Sequence, residues 1–166
     1  MQTRKLEYLY KTIDTLWHGV ANTNSGDYPK IINLYKEVLK IKPDDRDAWE
    51  NMIWLMWSLS VNESSESWLK QAEIFAKRYL SVMPNGYRSF EYLGMFYRSM
   101  KIDLRLAMRY YESAIRWKDA PPSTYYSLIS ICDKTNDKIK ALDYCYMALK
   151  KYKNDAYVKS KIESYR

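Results

Sequence analysis

The chain has 166 residues, 47% hydrophobic and 16% aromatic, with only 4 Gly and 5 Pro. That is enough sequence for one ordinary domain, and 6 Trp with 17 Tyr supply too much apolar surface for a disordered chain. The net charge of +7 (pI about 9.2) admits an acidic partner or nucleic acid and demands neither.

Two cysteines do not make a disulfide framework. No apolar run approaches the roughly 18 residues that would cross a bilayer. The opening stretch, MQTRKLEYLYK, lacks the apolar core of a signal peptide. The expectation is a cytoplasmic protein.

The first predicted helix carries Leu6, Leu9, Tyr10, Ile13, Leu16, Trp17 and Val20 as one stripe at helical period. His18 is read as facing the core beside it. The polar run from Asn22 to Asp27 makes a turn, and Asp27 is placed to cap a second helix through Ile31, Tyr35 and Val38 to Pro43. Asp44, Asp45 and Asp47 then favour a helix start. Trp49, Met52 and Met56 form the apolar stripe of that third helix, and Ala72, Ala76 and Tyr79 that of the fourth. Between them lies the polar stretch from Ser58 to Ser67, which predicts an inserted loop. Pro84 marks the next boundary.

From there the chain repeats itself. Phe90-x2-Leu93-Gly94-x2-Tyr97 followed by Ala107-x3-Tyr111-x2-Ala114 returns about 35 residues later. The second copy is Tyr125-x2-Leu128-Ile129-x2-Cys132 followed by Ala141-x3-Cys145-x2-Ala148. Small residues at Gly94, Ala107, Ala114, Ala141 and Ala148 let helix backbones approach, and Leu93, Tyr97 and Tyr111 fill the space opposite. Asp103 is placed as a cap, Pro121 and Pro122 separate the copies, and Asn136 with Asp137 makes the turn inside the second. Cys132 and Cys145 fall on core positions as buried thiols, with a bridge between their helices as the alternative. Asn154 and Asp155 open a last helix with Val158, Ile162 and Tyr165 on one face, and Lys159, Lys161 and Glu163 directed elsewhere. This helix covers the open end of the core; a truncated fifth repeat is the alternative.

The period and the placing of aromatic and small residues resemble the tetratricopeptide repeat (TPR) family. The resemblance implies an all-α fold: a right-handed TPR superhelix, or α-solenoid, of about four helix-turn-helix repeats plus a C-terminal capping helix. It implies one TPR domain over residues 1–166, with repeats at about 4–43, 44–84, 86–119 and 121–153 and the cap at about 155–165. The first repeat departs from the family pattern at Thr15 and His18. In the second, Ile53 and Tyr79 replace small residues at the helix crossing, which predicts a distorted repeat.

In that family the first helices of successive repeats line a concave groove. Carried onto this sequence, the phase selects Leu16, Trp17 and Val20, then Asp47, Glu50, Asn51, Trp54 and Trp57. It next selects Arg88, Glu91, Tyr92, Met95 and Arg98, then Tyr126, Ser127, Ser130, Asp133 and Lys134. The expected partner-binding residues are Trp17, Asn51, Trp54, Trp57, Arg88, Tyr92, Met95, Arg98, Tyr126 and Ser130. Large aromatics and Arg are the types that dominate interface energetics. The alternative is that Trp54 and Trp57 serve the core, and that Tyr92 and Tyr126 stack between repeats. The chaperone-tail clamp of some TPR domains is not matched: Leu16, Val20 and Tyr92 stand where it needs polar or cationic groups.

Nothing points to catalysis. There is one histidine, no Gly-rich phosphate loop and no metal-ligand spacing, so no enzyme, metal or cofactor is expected. The expected function is a protein–protein interaction scaffold holding a peptide segment or helix. A small chaperone for secreted or assembling subunits is the second reading. Nucleic-acid binding through Lys138, Lys140, Lys150, Lys151, Lys153, Lys159, Lys161 and Arg166 is the third, and would weaken steeply with salt. Self-association stays open.

Overall fold

The computed structural model describes residues 2–18 and 27–165. The expected turn from Asn22 to Gly26, and Val20, lie outside them. All regular structure among the described residues is helical. The chain divides into two compact halves, residues 1–83 and 84–166.

The N-terminal half holds α1 (Gln2–His18), α2 (Tyr28–Ile41), α3 (Arg46–Asn62) and α4 (Glu66–Val82). Each packs on the next, so the half is two stacked helical hairpins. Leu9 and Ile13 of α1, Ile31, Tyr35 and Val38 of α2, and Trp49, Met52, Ile53 and Met56 of α3 bury against one another. Asp45 caps α3 by accepting from the Ala48 amide at 3.1 Å. Asp27 sits at the start of α2 but makes no side-chain cap there; its carboxylate pairs with Lys30 at 3.2 Å.

Two expectations are corrected in this half. His18 is not a core residue: its side chain is 73% exposed and lies 3.7 Å from Asp14. The buried stripe of α1 runs through Leu9 and Ile13, and five residues past Ile13 is about 140° around the helix. The polar stretch from Ser58 to Ser67 is also not a loop. The extra residues lengthen the hairpin, giving 17-residue helices on both sides of a turn at Glu63, Ser64 and Ser65. Ser64 takes the left-handed conformation (φ 50°), and the Ser65 amide donates back to the Ser60 carbonyl at 2.9 Å. Those bonds close a helix in the Schellman manner, with Ser in the place glycine usually takes.

The C-terminal half holds α5 (Tyr87–Met95), which continues as a π-turn over Phe96–Met100, then α6 (Leu104–Ala114), α7 (Pro122–Lys134), α8 (Lys138–Lys151) and α9 (Ala156–Tyr165). Again each packs on its successor. Asp103, Asp137 and Asp155 accept from the amides of Leu106, Lys140 and Val158, each at 3.0 Å, and so start α6, α8 and α9. The turns before α6 and α8 each contain one left-handed residue, Ile102 (φ 57°) and Asn136 (φ 56°). The small residues act as the pattern implies. A Cβ on Gly94 would sit 2.9 Å from the Tyr111 ring. Ala107, Ala114, Ala141 and Ala148 are fully buried.

Cys132 and Cys145 are buried free thiols. Burial pushes both up to about 11, so they stay protonated at neutral pH.

The last helix is held by more than the apolar contacts of Val158 and Ile162. Asp133 of α7 accepts from Lys161 at 2.6 Å and from the Tyr165 hydroxyl at 2.5 Å. Lys161 therefore does not point away, as its sequence position implied; its stem reaches back to α7. Burial raises the Asp133 carboxyl, but the bonds from Lys161 and Tyr165 outweigh it and hold it below its ordinary value. A carboxylate lowered on folding stabilises above its unfolded pKa of about 3.9, and that contribution is lost as pH falls through the lower folded value. Asp133→Asn is expected to melt about 2–4 °C below wild type at pH 7, equivalent to about 1 kcal/mol. The gap should narrow as pH falls below the ordinary carboxylate range. Thermal denaturation of both proteins across that range checks it.

Candidate partner-binding site

In the N-terminal half, α1 and α3 bring three of the expected residues together. Trp54 lies 6.1 Å from Trp17 and 6.4 Å from Trp57, centroid to centroid, in tilted contacts. The cause is register. Trp54 and Trp57 are three apart on α3, and Trp17 lies one turn beyond the buried Ile13 of α1. Trp17 and Trp57 are half-buried, whereas Trp54 keeps 38% of its surface exposed. Asn51, one turn before Trp54, is exposed and borders an open hollow of about 430 Å³ with Trp17, Tyr10, Tyr35 and Asp47. Burial raises the Tyr35 phenol above its ordinary value, and Asn51 beside it acts the other way. The result is an aromatic surface with an amide and a carboxylate at its edge.

Glu50, also selected by the phase, does different work. It accepts from the Tyr79 hydroxyl at 3.0 Å, tying α3 to α4.

In the C-terminal half the expected residues mostly hold neighbouring repeats together. Arg98 donates to Ser127 at 3.4 Å and to Ser130 at 3.2 Å, binding the end of α5 to α7. Glu91 accepts from Thr124 at 2.6 Å along the same seam. The Tyr126 hydroxyl donates to Asp155, and its ring lies 4.5 Å from Tyr157 of α9. Burial, then the bond to Asp155, pushes the Tyr126 phenol up to about 12. Tyr126 thus packs on the last helix in a tilted ring contact. Tyr92 and Met95 are half-buried and Arg88 is exposed. The links between α5, α7 and α9 were not selected as such by the sequence. The signal was present: polar partners 28–33 residues apart, close to one repeat period.

The basic C-terminal residues are likewise partly engaged. Lys140 pairs with Glu112 at 3.1 Å, Lys151 donates to the Ala120 carbonyl at 2.7 Å, and Lys161 pairs with Asp133. Lys138, Lys150, Lys153 and Lys159 are exposed. No group of three or more His, Cys, Asp or Glu able to hold a metal occurs among the described residues. No helix among them is long and apolar enough to cross a membrane.

No protein-family model matches the sequence, and no curated protein matches it either. Its likeness is to solved structures. A MamA structure superposes with TM-score 0.64 at 16% identity, covering 96% of this chain and 80% of that one. MamA from Desulfovibrio magneticus RS-1 gives 0.61 at 16% identity over 91% and 77%. PilW, a widely conserved type IV pilus biogenesis factor, gives 0.55 at 18% identity, over 87% of this chain and 60% of PilW. A thermophilic TPR protein from Thermus thermophilus gives 0.50 at 14% identity over 99% and 98%. At these identities the likeness is one of fold, and the fold is the TPR-type helical solenoid that the repeat spacing implied.

Proposed function

We propose that this chain is a non-catalytic protein-interaction scaffold that seats a peptide segment or helix on the first-helix face of its repeats. The four repeats and the last helix are read as one domain, and the cytoplasm as its compartment. The two buried free thiols fit a reducing environment. The observation that carries the reading is the Trp17–Trp54–Trp57 cluster with Trp54 partly exposed. A tryptophan left at the surface between two others offers a large, rigid apolar anchor beside the polar Asn51, the kind of centre on which interface energy concentrates. In the C-terminal half, Arg88, Tyr92 and Met95 hold the corresponding first-helix positions. Arg98, Ser130 and Tyr126 belong with them by position, although they already hold α5, α7 and α9 together.

The test begins with affinity purification from the native host and mass spectrometry to name a partner. Trp54→Ala should then weaken that partner's binding about 30-fold, which corresponds to about 2 kcal/mol. Circular dichroism should stay unchanged, because Trp54 is only partly buried. Wild-type affinity in Trp54→Ala would remove this face from consideration; loss of helicity would show that Trp54 serves the core.

A further inference from the structure

A second surface lies on the second helices of the N-terminal half. Leu39 of α2, Trp49 of α3, and Phe75 and Val82 of α4 enclose an open apolar slot of about 390 Å³. Trp49 is fixed beneath it: its indole N–H donates to the Pro43 carbonyl at 2.8 Å, and its ring lies 6.2 Å from Phe75. Three cations, Lys36, Lys40 and Arg78, stand around this slot, and no carboxylate lines it. Lys36 holds its ammonium 5.6 Å from the centre of the Phe75 ring. Lys40 is shared with Glu37 at 2.5 Å. Neither Lys36 nor Arg78 has a carboxylate ion-pair partner among the described residues.

We propose that this slot is a second docking site, for an acidic peptide segment that inserts an aromatic or aliphatic side chain between its own Asp or Glu residues. The argument is charge complementarity around an apolar floor. Cations at a rim favour carboxylates and speed their encounter. An apolar floor rewards an inserted side chain, which a bare polyanion lacks. A second copy of the chain is disfavoured, because each copy carries +7 and would bring that charge to an already basic rim.

The test uses the full chain and a fluorescein-labelled peptide, Glu-Asp-Phe-Asp-Glu-Leu-Asp-Glu, followed by fluorescence anisotropy. Binding is expected to fall at least tenfold in the double variant Lys36→Glu/Arg78→Glu. It should hold within twofold in Lys150→Glu/Lys159→Glu, which makes the same change in net charge on exposed positions of the other half. A peptide with Ser in place of Phe and Leu should bind at least tenfold more weakly to the wild type. Four results would overturn the proposal. The labelled peptide could fail to bind at millimolar concentration; both double variants could lose affinity equally; the Ser peptide or a single-stranded RNA 15-mer could bind as tightly. Lastly, sedimentation could show a dimer that Lys36→Glu/Arg78→Glu dissociates.

Discussion

Gly94→Val is expected to destabilise the protein by about 3 kcal/mol, and Gly94→Ala by about 1–2 kcal/mol. In isolation the Ala change would help, since Gly costs a helix interior about 1 kcal/mol. Here it does not, because a Cβ at position 94 would stand 2.9 Å from three atoms of the Tyr111 ring. That ring has no easy retreat. Tyr111 is 3% exposed, and its hydroxyl stands close to Ser127 and Arg98. Moving the ring would disturb the seam between α5 and α7 as well as the α5–α6 crossing. Urea denaturation followed by far-ultraviolet circular dichroism gives the comparison. Tyr111→Leu should destabilise alone, yet recover part of the loss when combined with Gly94→Ala, because it removes the ring that the new methyl meets. Strict additivity would mean the two positions do not share a crossing.

That glycine was legible in the sequence because its constraint is local to a motif. Gly94, Ala107 and Ala114 mark a close helix approach by their size alone, and the repeat thirty-five residues on repeats most of the signal. The polar run from Ser58 to Ser67 misled for a physical reason. Composition there says loop, yet Leu55, Met56 and Leu59 remain buried on one side, so α3 continues past the expected end while its polar residues face solvent. His18 misled because a family position was preferred to the helix's own stripe, which had already turned away. The candidate site was legible where it depends on spacing along one helix, as for Asn51, Trp54 and Trp57. It was not legible where it depends on what the next repeat presents. Arg98 reads as a free groove cation until α7 sets Ser127 and Ser130 beside it, and Tyr126 reads as a groove aromatic until α9 supplies Asp155 and Tyr157.

Tyr79→Ala is the stronger test of how sequence pattern and packing divide the work. It restores a small residue where the family pattern has one, so the pattern alone predicts a better repeat. The packing predicts a loss of about 3–5 kcal/mol. Tyr79 is fully buried, stacks on Trp49 at 6.1 Å and 19°, and donates its hydroxyl to Glu50. Burial, then the Glu50 charge, raises its phenol well above the ordinary value, so it remains a donor at every pH the fold survives. Ile53, the other large replacement, is also fully buried. The second repeat has thus exchanged a close crossing for an aromatic one, and removing the ring leaves a cavity that longer helices cannot collapse to fill. Tyr79→Phe keeps the stack and loses only the hydroxyl bond, so about 1 kcal/mol is expected. The measurement is favourable because Trp17, Trp49, Trp54, Trp57 and Trp68 all lie in the N-terminal half, against Trp117 alone in the other. Tryptophan fluorescence therefore reports mainly on the half that Tyr79 stabilises, while circular dichroism reports on both. In Tyr79→Ala the fluorescence transition should move to lower urea ahead of the dichroism transition, since stability in helical repeats is set between neighbours. A stability equal to wild type would show that the family pattern, and not the Trp49–Tyr79 stack, governs this repeat.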